Sequence, residues 1–280
     1  MSTDSPRFPV LRLVAVRVIQ SAVGILIVLI GKAGVPVVAL AMIVAGVVLG
    51  VWQERRWAPT HAHAVTTGLV LAGATVGHTL AVLNAPVATV ETVVQMGALL
   101  PLVASPTQRR RPVVVLLVVA CVFTGGLFVG FAGGSVLGIG LATVAGICAG
   151  LLVMRLETRP RGLAPARYQA VSITVGGVAL LPLGILLDGS TLAASTALVL
   201  AALIAIFAVT NLELGRIVPA TGAVVAMSSS GLRPIAALFL GALVIDQDIT
   251  ASAIVLGASY AVALAGLVRQ VERVPVAEVP

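Results

Sequence analysis

Apolar residues fill this chain in blocks of about twenty, and the polar residues fall between the blocks. A transmembrane helix needs roughly 20 such residues to cross the hydrocarbon core. Cutting at charges, Pro/Gly clusters and polar connections gives ten blocks, at 11–31, 34–52, 64–83, 87–105, 112–131, 134–154, 168–188, 192–213, 218–241 and 249–268. In lipid every backbone N–H and C=O must be satisfied internally, and apolar runs this long do so as α-helices, not barrel strands. The pattern predicts an all-α integral membrane protein of ten transmembrane helices, with no segment left over to fold as a soluble domain. MSTDSPRFP lacks a signal-peptide pattern, so the block from Leu11 is expected to stay as the first span.

Composition agrees. Only 10% of residues are charged and 59% are hydrophobic, whereas a soluble domain is about 25% charged. The net charge of +7 reads as membrane topology. With the N-terminus inside, fourteen of the 17 Lys and Arg residues fall on the cytoplasmic side: Arg7, Arg12, Arg55, Arg56, Arg109, Arg110, Arg111, Arg155, Arg159, Arg161, Arg167, Arg216, Arg269 and Arg273. Lys32 alone falls outside, and Arg17 and Arg233 lie within spans. This bias follows the positive-inside rule with both termini cytoplasmic. The arginine triplet therefore marks an inner loop, and no nucleic-acid partner is expected. Cys121 and Cys148 lie in apolar blocks and read as packing residues. His61 and His63 lack a third ligand, so no metal site follows. Glycines at 126/130 and 134/138 read as close helix packing.

The chain also repeats. PVATVETVVQMGALLP (86–101) and PATGAVVAMSSSGLRP (219–234) carry prolines displaced by 133 residues. Each segment is the fourth span of a five-span half. Five is odd, so the halves cross the membrane in opposite directions, the inverted-repeat plan of many secondary transporters. The expected divisions are a cytoplasmic tail 1–10, a first five-helix repeat 11–133, a second 134–268 and a cytoplasmic tail 269–280.

This layout resembles the drug/metabolite transporter superfamily, specifically its ten-span EamA-type permeases. The likeness rests on ATVETVVQMGALLPLVA and ATGAVVAMSSSGLRPIAAL in the fourth and ninth spans, where small residues lead to a proline. It rests also on LGALVIDQDITASAIVLGASYAVALAG after the ninth, although Gln247 stands where the family usually has glutamate. NLELGRIVPAT is similar to the amino-acid exporter branch of threonine/homoserine type. The resemblance implies a secondary transporter.

Ionisable residues within spans are the candidates for chemistry, because a central charge costs about 2.5–3.5 kcal/mol on translocon scales and usually faces the bundle interior. Estimated depths group His78, Glu91 and Arg233 in an outer cluster, and Arg17, Gln20, Asn211 and Glu213 in an inner one. Gln95 is one turn from Glu91. Ser228, Ser229 and Ser230 lie between the two levels. Pro101 and Pro234 can bend their helices. Arg233 offers a planar fork to a carboxylate, with Glu91 as its resting partner. The same pair also reads as a structural ion pair, and the serines as helix contacts. Glu91 and His78 are the candidates for proton coupling.

No phosphate-binding loop, metal cluster or nucleophile motif is present in the sequence, so neither an ATPase nor another enzyme is expected, and no cofactor. The expected function is secondary transport of a small polar metabolite, with export of amino acids or related carboxylates across the plasma or inner membrane. Efflux of lipophilic drugs and a non-transporting membrane scaffold are the alternatives. The expected partners are a small-molecule substrate and the bilayer, with the chain a monomer or homodimer.

Overall fold

The computed structural model describes residues 7–53, 62–104, 115, 118–123, 125–127, 134–160, 162–187, 194–246 and 251–273. Regular structure among the described residues is entirely helical. Helix α1 (Arg7–Ile30) passes through a 3-10 turn into α2 (Gly34–Gln53), followed by α3 (Ala62–Val82) and α4 (Val87–Ala104). After residues 118–123, also helical, come α5 (Val136–Glu157), α6 (Pro165–Leu187) and α7 (Ala194–Thr221). The chain then forms α8 (Ala223–Ser228), a 3-10 turn (Ser229–Leu232), α9 (Arg233–Ile245) and α10 (Ala251–Arg273). Eight stretches are long and apolar enough to cross a membrane: α1 to α7, and the composite Ala223–Ile245. This is a multi-pass α-helical membrane protein. Half of the predicted fifth block, 112–131, falls outside the described residues, as do Arg109, Arg110 and Arg111. The tenth block is the 23-residue α10, which is not among the eight.

Two expected boundaries move. The predicted eighth span ended at 213 and the ninth began at 218, but α7 runs on to Thr221 and the chain reverses at Gly222. Gly222 has φ +83°, a region open to glycine and strained for other residues. Pro219 is tolerated inside α7 because the carbonyl its missing N–H would have served finds another donor. That carbonyl, on Gly215, accepts from Arg159 Nη1 at 2.8 Å. Glu213, at the expected end of the eighth span, and Arg216, which read as loop, form an ion pair one turn apart on the helix. The second correction concerns the ninth span itself, which is interrupted over Ser229–Leu232 instead of running continuously.

Helix α2 lies along α6, α4 along α5, and α3 against both α5 and α6. Helix α7 packs on α1 and α2, while α9 packs on α1 and α4. Small residues set a tight seam between α4 and α5. A Cβ added at Gly146 would meet Val94 O, and one at Gly150 would meet Ala98 O. One at Gly97 would lie 2.8 Å from Thr143 O. Lipid tails are as apolar as leucine, so helices associate in lipid through such close contact. Of the glycines singled out in the sequence, Gly138 does pack closely, against the Asn84 backbone. Gly126 has, among the described residues, only Met96 Cε nearby at 4.0 Å, and Gly130 lies outside them. Leu186, Leu198 and Leu243 remain exposed, as lipid-facing positions must.

Polar contacts gather where the starts of α1, α3 and α6 meet the ends of α5 and α7. Arg12 pairs with Glu213. Arg155 Nε donates to Thr67 Oγ1 at 2.9 Å, and His63 Nδ1 lies 2.8 Å from the Tyr168 hydroxyl. At the opposite ends, Ser135 Oγ donates to Asn84 O at 2.7 Å.

The glycine seam predicts a sharp contrast between two substitutions. Gly146→Val should cost about 1–3 kcal/mol or more through overpacking. It should lower the thermal stability of the detergent-purified protein. Gly140→Ala, where a Cβ meets none of the described residues within 4 Å, should leave the melting temperature unchanged.

Candidate functional site

Three polar residues reach the same depth from the arginine-rich ends. Arg17 lies about ten residues into α1, Asn211 about ten residues before the end of α7, and Arg233 about ten residues after α8 begins. At 1.5 Å per residue each is about 15 Å deep, half of a hydrocarbon core of about 30 Å.

Glu91 on α4 has a fully buried side chain, and both its oxygens are engaged. Oε1 is 2.9 Å from His78 Nε2, and Oε2 is 2.7 Å from Arg233 Nη2. The Arg233 contact is a close ion pair rather than an aligned hydrogen bond. One turn along α4, Gln95 Nε2 donates to Met227 O at 2.6 Å. These contacts pin α3 and α4 to the interrupted span. Where α8 tightens into the 3-10 turn, its carbonyls take side-chain donors. Ala226 O accepts from Arg17 Nη2 at 3.0 Å and from Ser229 Oγ at 2.7 Å. Ser230 Oγ makes a longer contact with it at 3.4 Å. Arg17 Nη1 donates to Gln20 Oε1 at 2.9 Å.

A cavity of about 120 Å³ lies among α1, α3, α4, α5, α7 and the interrupted span. Its wall carries Arg17, Gln20, His78, Gln95, Asn211 and Arg233, with Ser230 beside them. Leu71, Val94, Phe207 and Met227 supply part of the apolar remainder. The expected outer and inner clusters therefore form one wall. Their separation in the sequence reading came from ending the eighth span at 213. With α7 running to Thr221, Asn211 moves from the membrane edge to the midplane.

Some expected members stand apart. Glu213 is held by Arg12 and Arg216 near the arginine-rich face. Glu91 sits behind His78 and Arg233 rather than on the cavity wall. Ser228 Oγ bonds Val224 O at 2.8 Å, so Ser228 and Ser229 serve their own helix, and Ser230 alone of the three lines the cavity. Pro101 is buried within α4. Pro234 stands at the start of α9, so the departure from α geometry precedes it. Gln247 and His61 lie outside the described residues. Thr75, Thr79 and Thr210 also line the cavity. No sequence signal marks them, because a threonine in a membrane helix ordinarily bonds its own backbone, as Thr210 does to Ile206 O.

The charges do not balance. Arg233 faces Glu91, but Arg17 has only neutral acceptors, Gln20 Oε1 and Ala226 O, and is 5% exposed. Its Nε is buried with no hydrogen-bond partner among the described residues. Among the described residues no carboxylate lies within ion-pair distance of Arg17.

Neither a family model nor a curated protein matches the sequence. Solved structures do match the fold. One crystal structure of a protein superposes with a TM-score of 0.73, covering 96% of this chain and 99% of that chain at 16% identity. Fold and hydropathy together define a multi-pass helical membrane protein with a polar cavity in its core. The solved relative shares its fold over nearly the full length of both chains.

Removing one partner of a buried ion pair strands the other charge, at about 3–5 kcal/mol. Glu91→Ala should therefore destabilise the detergent-purified protein by roughly that amount. Adding Arg233→Ala should restore part of the loss, and a double-mutant cycle of thermal stability reads the coupling. Strictly additive effects would mean that the two side chains do not interact.

Proposed function

We propose that this chain is a secondary transporter that moves a small polar metabolite by alternating access. On this reading it exports amino acids or related carboxylates across the plasma or inner membrane. The observation that carries the reading is the midplane cavity, where Arg17, Arg233, His78, Gln20, Gln95, Asn211, Ser230 and three threonines interrupt an otherwise apolar wall. Polar groups at that depth are costly in lipid and mark substrate pathways.

The helix contacts support an inverted repeat. Exchanging the halves maps α1 to α5, α2 to α6, α3 to α7 and α4 to the interrupted span. Under that exchange α3–α5 becomes α7–α1, α3–α6 becomes α7–α2, and α4–α5 becomes α9–α1, and all of these pairs are in contact. The α2–α6 pair maps onto itself. Two five-helix repeats of opposite orientation produce this reciprocity, with block 112–131 and α10 as the fifth members. The count is then ten spans, with both termini on the arginine-rich cytoplasmic face. The resemblance to EamA-type permeases of the drug/metabolite transporter superfamily points to the same mechanism, two halves rocking about a shared site. Glu91 and His78 remain the candidates for proton coupling.

Size favours a metabolite over a drug. A water needs roughly 10–15 Å³ of comparable volume, so a cavity of about 120 Å³ holds roughly 8–12 non-hydrogen atoms. Drug-sized ligands occupy about 300–1,000 Å³. Two arginines also repel cationic drugs.

Counterflow of a labelled amino-acid panel in proteoliposomes tests the reading. Protein-dependent accumulation driven by unlabelled solute inside is the expected result. Export of lipophilic cations with no amino-acid counterflow would replace it with drug efflux. For proton coupling, an imposed pH gradient should change the wild-type rate and leave Glu91→Gln unaffected. A pH-independent wild type with an active Glu91→Gln removes proton coupling from the mechanism.

A further inference from the structure

The cavity holds two guanidinium groups and one carboxylate behind its wall, and the surplus cation is Arg17. Arg233 sits against Glu91 at 2.7 Å. Arg17 uses two of its five N–H donors, both on neutral oxygens, and its Nε has no acceptor among the described residues. A guanidinium stays charged under all ordinary conditions, so an interior site must compensate it with an anion or leave it costly. Among the described residues no acid serves: Glu213 is held by Arg12 and Arg216, and Glu91 by His78 and Arg233.

Two further groups of the same wall are oriented by the backbone. Gln95 Nε2 is bound to Met227 O at 2.6 Å, and Asn211 Nδ2 to Phe207 O at 2.9 Å. A backbone carbonyl can only accept, so each amide turns its NH₂ toward that carbonyl and its oxygen away. The hydrogen bonds of the two side chains to described residues run through their nitrogens, and both side chains line the cavity. The wall thus presents an unneutralised planar fork together with two amide acceptors.

We propose that Arg17, rather than Arg233, anchors the substrate's carboxylate, while the Gln95 and Asn211 amide oxygens accept from its ammonium group. The substrate class is a zwitterion carrying one carboxylate, which gives Arg17 the ionic partner it lacks, while its ammonium is held by neutral acceptors and the net charge of the cavity is unchanged. Arg233 is then a positioning residue that, with His78, holds Glu91 and the interrupted span in place. This rests on the transporter reading and sharpens it, because it assigns each half of the substrate to named side chains.

The test is counterflow with matched pairs, leucine against leucinamide and threonine against threoninamide, for wild type, Arg17→Gln and Arg17→Lys. Wild type should prefer the acid of each pair. Arg17→Gln should reduce the acid-to-amide ratio by about ten- to a hundredfold, the worth of a charge-assisted hydrogen bond. Arg17→Lys, which keeps the charge without the fork, should fall between. An Arg17→Gln protein that retains the wild-type ratio overturns the assignment and leaves the transporter intact. A wild type that moves no member of either pair overturns the transporter reading and this assignment with it. Should Arg17→Gln not fold, competition on wild type decides. Leucinamide should displace labelled leucine at least about tenfold less effectively than leucine does, and equal displacement overturns the anion anchor.

Discussion

A charge at the bilayer midplane must find a partner, and the centre of this protein is arranged around that constraint. Glu91 is the hub. One oxygen meets His78 on α3 and the other meets Arg233 at the start of α9, so one side chain of α4 ties three helices together. Gln95 repeats the link one turn along, to Met227 O. Arg17 brings in α1 through Ala226 O. All of these contacts converge on the stretch from Ala226 to Arg233, where the helix tightens into a 3-10 turn.

That tightening explains how carbonyls at the midplane come to accept side-chain donors. A continuous α-helix consumes its own acceptors, whereas irregular backbone at membrane depth is tolerated only inside protein or beside a polar cavity. Here both conditions hold. The contrast with the α4–α5 seam is instructive. There glycines bring two backbones into direct contact and leave no room for polar groups. The protein therefore joins a closely packed seam on one side of the cavity to an interrupted, hydrogen-bonded span on the other. Arg155, Thr67, His63, Tyr168 and Arg159 close the arginine-rich end with a separate set of bonds.

Most helices were legible because membrane spans have only one way to satisfy their backbone, and hydropathy reports it directly. The polar residues of the site were legible for the same reason, since few ionisable side chains sit in apolar blocks. Their arrangement was not. Arg216 and its neighbours, residues 214–217, read as a loop between Glu213 and Pro219, yet α7 passes through them because Arg12 neutralises Glu213 and Arg159 serves the carbonyl freed by Pro219. That error of two turns split one cavity wall into two clusters. The serines misled in another way: hydroxyls that look like a binding strip mostly bond their own helix, which no sequence pattern distinguishes. The tight glycine pair, 146/150, was overlooked because glycine spacing recurs along the chain and close approach depends on the partner helix.

The central claim is that the surplus positive charge at Arg17 makes the cavity a site for a small carboxylate. Saturation binding of labelled amino acids to the detergent-purified chain measures this most directly, with Arg17→Gln beside wild type. The account predicts saturable binding to wild type at one site per chain, lost in a folded Arg17→Gln protein. Equal affinity in the two proteins, or no saturable binding to wild type, would contradict it.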